Sequence, residues 1–528
     1  MSCKPDDKSG WDTDWLIPVF STELGVREIA GDEYVQTDSD GLLRIVVSEE
    51  VLNFNLQDDL LQIPDTSLTY FFNLDSLLQG GKYAHGSYFS GNASTLFTVI
   101  DIQESTTYDL DGPEITFVRI KEGQITVEMS STISDSLFFE YSLPAATDDN
   151  GNPLFLETVL PPPGASGTVS KSEIFDISGF NLNLKGPQNN QFNTFQQILK
   201  GKIRAQSPIG IIQPTDSLRI TYKIQNIVPE YVKGYLGSDT ISSDLEVLDT
   251  EVFDIVKSGK LFLEAAAINL RVENGFGIEG EVIVNKLKAI GRGQQVELSS
   301  AQLQQGLSIS RALDNPFIVG KSNLNLDEQN SNLNLFLQTL PQTIEYDFDV
   351  LINPSMNLFN YQDFAYLNSE LKVFMDLEIP LAIKLESLML IDTIDFNPEE
   401  IARELRGLET GKLHLITDNS FPLDFSITVA FLNENGDVLK EYFKGMQAIG
   451  AEPGPDCKTE ESKRSLLSAP LSKEDIEIWK NVEKAVVIAT LNTPVSTFCN
   501  DNFVRLYDNN KLKVKLTADF KYNSGSLF

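Results

Sequence analysis

Histidine is nearly missing from this sequence. Two occur in 528 residues, His85 and His414, and imidazole is the usual proton acceptor near neutral pH. Hydrolase mechanisms built on Ser-His or Cys-His pairs are therefore largely excluded. His414 stands between Leu413 and Leu415 in an alternating run and reads as a surface residue of a strand. His85 lies in Tyr83-Ala84-His85-Gly86-Ser87-Tyr88. The stretch that follows, Gly86 to Gly91, is not the Gly-x-Ser-x-Gly of a nucleophile elbow. Cysteine is also scarce, at three residues, and no two Cys or His residues have zinc-ligand spacing. No metal site, glycine-rich phosphate loop or cofactor motif is present. No apolar run approaches the roughly 18 residues of a membrane helix. The three tryptophans, Trp11, Trp15 and Trp479, are few for a surface that stacks sugars on aromatic rings. Basic residues are in deficit, 41 against 76 acidic ones, for a net charge of −35. That field repels phosphate backbones and anionic lipid, which excludes nucleic acid as a partner and electrostatic adhesion to a membrane.

What is present is alternation. Leu218, Ile220, Tyr222 and Ile224 alternate with Arg219, Thr221 and Lys223; Ile344 to Val350 and Leu512 to Phe520 do the same. One apolar and one polar face per run predicts antiparallel strands over a core. Asn150-Gly151 and Asn435-Gly436 predict hairpin turns with positive φ at both residues. Helices are few. Ser472 with Asp475 forms a capping box ahead of Ile476, Trp479 and Val482. Leu333, Phe336, Leu337 and Leu340 share one helical face, ended by Pro341, and Phe192, Phe195, Ile198 and Leu199 have the same spacing. Asn397-Pro398-Glu399-Glu400 starts another helix, stopped at Gly407.

An internal repeat is visible. Gly259-Lys260-Leu261 and Gly411-Lys412-Leu413 are matched more loosely by Gly123-Gln124-Ile125. Downstream of the first two come Asn274-Gly275-Phe276-Gly277 and Asn419-Ser420-Phe421-Pro422, where the third has Ser130-Ser131-Thr132. Asp38-Ser39-Asp40-Gly41 and Asp109-Leu110-Asp111-Gly112 begin like calcium loops but lack the later ligands, so they read as turns. The length allows roughly three to five domains. The expected divisions are a tether over 1–20, β modules over 21–115 and 116–235, and modules with short helices over 236–360 and 361–528. The fold class expected is mainly β, several antiparallel sandwich-like modules with a few short helices.

Cys457 and Cys499 both lie in polar stretches and form a candidate disulfide in an oxidising compartment. Cys3 follows the small Ser2 and precedes Lys4-Pro5-Asp6-Asp7. That arrangement resembles the export signal of Bacteroidota surface lipoproteins, a lysine and acids just after a lipidated cysteine. The resemblance implies a signal peptide removed ahead of Cys3, lipid on Cys3 as the sole anchor, and residence at the outer membrane on the cell surface. Asp75-Ser76-Leu77, Asp135-Ser136-Leu137, Asp216-Ser217-Leu218, Asp239-Thr240-Ile241 and Asp392-Thr393-Ile394 are similar to the Asp-Ser/Thr-apolar sequon that these bacteria O-glycosylate. The Asn-x-Phe segments resemble the water-stress (WHy) β-sandwich, and a helix near 331–340 running into a strand resembles the tubular lipid-binding (TULIP-like) folds. Together these imply a non-catalytic binding or accessory subunit of an outer-membrane protein complex for secretion, assembly or uptake. The alternative is a carrier of a lipid or other hydrophobic ligand in a TULIP-like cavity.

Overall fold

The computed structural model describes residues 12–55, 64–73, 96–204, 215–250, 253, 256–395, 408–454, 457–495, 499 and 503–523. Cys3, His85, the sequon at Asp75 and the helix expected from Asn397 lie outside them. The fold is mainly β, and the described residues form five sheets of 4, 10, 6, 7 and 5 strands. Alternation works as expected: Ser217–Tyr235 turns Leu218, Ile220, Tyr222 and Ile224 into the core. Register shifts between Gln225 and Tyr231, with Asn226 at φ 56°, carry that strand through a bulged bend.

The ladders use one arrangement three times. In the first unit the opening strand, Glu114–Ser131, lies between Val169–Asp176 and the closing strand Ser217–Tyr235. A second ladder centres on Leu137–Thr147, between Pro153–Leu160 and Thr194–Arg204. Ile115, Val118 and Ile120 of the first ladder and Leu143, Ala146 and Phe195 of the second line one apolar void of ≈ 20 Å³, so this core is closed. The second unit sets Ala267–Asn274 between Gly320–Asp327 and Glu370–Pro380, and Gly280–Gly291 between Gln294–Glu297 and Thr343–Ile352. In the third, Leu408–Asn419 lies between Lys463–Leu471 and Leu512–Asn523, and Asp424–Leu432 between Val438–Tyr442 and Lys484–Asn492. Short helices, Leu333–Gln338 and Lys473–Trp479, occupy the same place in the second and third units. The second of them has the expected capping box, Ser472 with Asp475.

The N-terminal strands lace these units in reverse order. Asp12–Leu24 pairs with the closing strand of the third unit, Leu43–Asn55 with that of the second, and Thr66–Asn73 with that of the first. Each covers a closing-strand edge that would otherwise offer unpaired backbone groups to another chain. Neighbouring strands of the N-terminal stretch therefore pair with different units.

The repeat is anchored at the end of each opening strand. Asn274 and Asn419 are 1% and 0% exposed. Asn274 accepts a bond from the Phe276 N–H (2.9 Å) and donates to the Ile278 and Ser310 carbonyls (2.8 and 3.0 Å). Asn419 accepts from the Phe421 N–H (2.9 Å) and donates to the Leu423 and Ile449 carbonyls (2.9 and 3.3 Å). In the first unit Ser131 keeps only the first bond, from the Ile133 N–H at 3.0 Å. Buried amides need such partners, and here they fix the crossover from one ladder to the other. The Gly-Lys-Leu alignment holds for Gly123 and Gly411, both inside opening strands, but not for Gly259. Val256–Leu263 pairs with Ala382–Asp395, which joins the second ladder of the third unit. With Asn274 aligned to Asn419, Ile268, Leu270 and Val272 take the places of Leu413, Leu415 and Thr417, all buried.

Two local expectations are corrected. Phe192 to Leu199 is not a helix: Thr194–Arg204 is a strand paired on both sides, and Phe195, Gln197, Leu199 and Ile203 face inward. Residues four apart share a face in strands as in helices, and the two ladders decide the matter. At Asn150-Gly151 and Asn435-Gly436 only the glycines have positive φ, 80° and 82°. Asp148 and Asn433 accept bonds from the N–H groups two and four residues on, so each loop is a side-chain-closed turn.

Candidate functional site

The junction of the first and second units brings together residues that are scattered in the sequence. Asp363–Tyr366, leading into the second unit's closing strand, pairs antiparallel with Tyr231 to Gly234 of the first unit's closing strand. One carboxylate, Asp314, accepts from both hydroxyls across this seam, Tyr231 at 2.9 Å and Tyr366 at 2.8 Å. Burial, with Asp314 adding to it, pushes Tyr366 up to about 12 and raises Tyr231 as well. Phe317 and Phe364 pack against Tyr366, with ring centroids 5.4 and 5.9 Å apart.

Arg311 is the hub. Its guanidinium donates to the Gly277 carbonyl, to the Gln362 carbonyl at 3.1 Å and to Asp363 at 3.1 Å, and lies 3.7 Å over the Phe359 ring. Burial dominates at Asp363 and pushes its carboxyl up to about 6, against the opposing pull of Arg311. Around the hub the backbone takes left-handed values at Asn353, Met356, Phe359, Asn360 and Tyr361, φ 43–57°. Such conformations persist only where surrounding contacts hold them. Asn353 does this locally, accepting from Asn357 N–H at 2.9 Å and donating to the Asn357 carbonyl at 3.0 Å. The loops so fixed present apolar tips. Leu313, Phe317, Ile318, Met356, Leu358 and Phe359 are 42–70% exposed.

Beside this seam a groove of ≈ 520 Å³ runs between the units, with Phe117, Asn183, Lys185, Gln191 and Lys233 on one wall and Asn360, Tyr361 and Gln362 on the other. Phe192 of the first unit stacks on Tyr361 of the second, centroids 4.2 Å apart. The first-unit wall is a pinned loop. Gly186 N–H donates to the Thr194 carbonyl (2.9 Å) and Gln191 N–H to the Lys185 carbonyl (3.0 Å). Buried Asn193 accepts from Ile115 N–H at 2.7 Å and donates to the Pro113 carbonyl at 2.8 Å.

A second, apolar space of ≈ 140 Å³ lies where strands of the second and third units meet; Ile45, Ile379, Leu263, Leu388, Leu423 and Leu491 are among its lining, which is apolar throughout. A cavity of about that size lined by Leu, Ile and Phe stays dry and accepts a benzene-sized guest.

The residues singled out in the sequence fall elsewhere. Cys457 and Cys499 are joined in a disulfide, Cα atoms 5.6 Å apart, which ties together two loops of the third unit. His414 lies on an exposed strand face and hydrogen-bonds Ser468 across the ladder at 2.8 Å. Asp38 to Gly41 and Asp109 to Gly112 are turns: Leu42 N–H donates to Asp40 (3.1 Å) and Asp111 N–H to Asp109 (3.3 Å). No cluster of three His, Cys, Asp or Glu residues arranged for a metal occurs among the described residues. Of the described sequons, Thr240 and Thr393 are exposed while Ser136 and Ser217 are half-buried. Sequence reasoning did not single out Arg311, Asp314 or Tyr361. The nearest signal was the cluster of turn-forming asparagines on either side of Phe359.

No protein-family model and no curated protein matches the chain. Among solved structures it is similar to a candidate secreted protein of Parabacteroides distasonis, at 10% identity over 96% of this chain and 99% of that one, with a TM-score of 0.27. It is also similar to a chain of Sulfolobus turreted icosahedral virus, at 10% identity over 80% and 91% of the two chains, with a TM-score of 0.11. At those scores neither likeness carries an argument about fold or function.

Proposed function

We propose that the protein is a non-catalytic binding subunit of the bacterial envelope, anchored at the outer membrane through lipid on Cys3, and that it docks onto a protein complex for secretion, assembly or uptake. The observation that carries this reading is the set of apolar loop tips at the Arg311 hub. Six large apolar side chains, Leu313, Phe317, Ile318, Met356, Leu358 and Phe359, are held outward on a backbone fixed by hydrogen bonds and an ion pair. Rigid exposed apolar groups beside a closed core suit an interface better than an interior site. The Cys457–Cys499 disulfide supports an oxidising compartment.

Affinity purification of the native lipoprotein from membranes tests this. Stoichiometric β-barrel partners, lost with Leu313→Ser and Met356→Ser at unchanged melting temperature, support docking; recovery of the native protein alone contradicts it. The apolar cavity favours a second reading, a carrier. At ≈ 140 Å³ it suits a small hydrophobe or the end of a chain rather than a whole lipid.

A further inference from the structure

We propose that the groove between the first and second units is a binding site for an acidic oligosaccharide. It is distinct from the apolar loop tips and does not depend on the docking reading. Its ≈ 520 Å³ lies within the usual range for small-ligand sites.

The lining argues for a polyhydroxylated ligand. Six side-chain amides face the space, Asn183, Asn189, Asn190, Gln191, Asn360 and Gln362. An amide carries both donors and an acceptor, the set that matches a hydroxyl which must also do both. Asn183 already accepts from the Lys185 N–H at 3.0 Å and Gln362 donates to the Asn360 carbonyl at 3.2 Å. Among the described residues, their remaining groups and the other four amides are left for a ligand. Phe192 and Tyr361 are stacked on each other at 4.2 Å and both half-buried, and the outward side of the pair provides an apolar surface for the ring face of a sugar. The scarcity of tryptophan had pointed away from such a surface; phenylalanine and tyrosine supply it.

The charge argues for an acidic one. The chain carries 76 acidic and 41 basic residues, yet the charged groups lining this groove are Lys185 and Lys233. Neither takes part in an ion pair among the described residues. Burial, with the nearby acid Glu114 adding to it, raises the pKa of the Tyr361 hydroxyl, but Glu114 is not part of the lining. Two cations in a strongly acidic protein, facing amides rather than carboxylates, are suited to a carboxylate brought by the ligand.

The walls are also set in advance. Asn189, Asn360 and Tyr361 hold φ values of 55°, 53° and 57°, and Arg311 grips the Gln362 carbonyl from behind. Little ordering remains to oppose binding. An acidic peptide fits less well. The strand beneath the groove, Tyr231 to Gly234, is paired on both sides, by Asp363–Tyr366 and by Glu114–Ser131. Asn181 and Leu182 are likewise paired on both sides. Among the described residues no free backbone ladder is offered there for a peptide to extend.

The test is fluorescence anisotropy of the full chain with a short fluorescein-labelled oligogalacturonate, against the uncharged galactose oligomer of equal length and a labelled oligoglutamate peptide. The acidic sugar is expected to bind, more weakly as salt rises, and the neutral sugar and the peptide at least roughly tenfold more weakly. Lys185→Gln and Lys233→Gln should each weaken the acidic sugar by roughly tenfold, the size of one charge-assisted hydrogen bond. Both lysines are at least partly exposed, so circular dichroism should show an unchanged melting curve. Asn360→Ala should weaken both sugars without altering the salt dependence. Failure of the acidic sugar to bind, equal binding of the peptide, or undiminished affinity in the double lysine variant would overturn the proposal.

Discussion

Replacing Asn419 with alanine isolates the motif that repeats along the chain. The side chain is 0% exposed and makes three bonds to backbone groups, with Phe421 N–H and the Leu423 and Ile449 carbonyls. Alanine leaves the N–H buried without its partner, at about 1–3 kcal/mol, and weakens two carbonyls by about 1 kcal/mol each. The sum is about 3–5 kcal/mol. Asn419→Ser, copying the first unit, should keep the N–H bond and cost about 2 kcal/mol. Ser131→Ala, which removes one bond, should cost about 1–2 kcal/mol in its own unit. The third unit has its own reporter. Trp479 is buried there and donates to the Tyr442 hydroxyl at 3.0 Å. With Trp11 and Trp15 changed to phenylalanine, urea unfolding followed by Trp479 fluorescence reads the effect. At a slope of about 2 kcal/mol per molar urea, Asn419→Ala should lower the midpoint by about 2 M. A shift below about 0.5 M, or one no larger than that of Asn419→Ser, would refute the reasoning that these bonds hold the crossover.

Other perturbations address the remaining elements. Cys457→Ser with Cys499→Ser opens a loop of 42 residues and should cost about 4 kcal/mol on the chain-entropy estimate, read as a lower urea midpoint for Trp479. Asp363, raised to about 6 from its usual 3.8, favours folding when protonated. Its contribution is full below about pH 4 and is lost as pH rises through 6, about 3 kcal/mol at most. Stability measured relative to Asp363→Asn should therefore fall between pH 4 and pH 7; a flat difference would contradict the burial of this carboxyl. Toluene should raise the melting temperature by occupying the apolar cavity, and Leu388→Phe, which fills it, should remove that response.

How much of this was legible depends on the range of the interaction. Strands at 218–224, 344–350 and 512–518 follow from alternation because each buries one face. The helix at Lys473–Trp479 follows from its Ser472–Asp475 cap, a contact within four residues. Phe192 to Leu199 misled because residues four apart meet both periodicities, and the partners that decide between them lie tens of residues away. The Asn-x-Phe element was visible as a repeat, but Gly259 suggested a register that the strand pairing does not follow. Nothing local marks Asp12–Leu24 as the partner of Leu512–Asn523, since edge pairing uses backbone groups that every residue carries. The junction site was the least legible. Arg311 acts through carbonyls and a ring supplied by residues 277, 359 and 362, none of which signals its neighbour in sequence.

The central structural claim is that three like units are each completed by one strand of a common N-terminal segment. Amide hydrogen exchange of the full chain against a form lacking residues 1–24 tests it most directly. Residues 512–523 should lose protection, while 370–380 and 217–224, still covered by Leu43–Asn55 and Thr66–Asn73, keep theirs. Unchanged protection at 512–523, or equal loss at all three closing strands, would contradict the account.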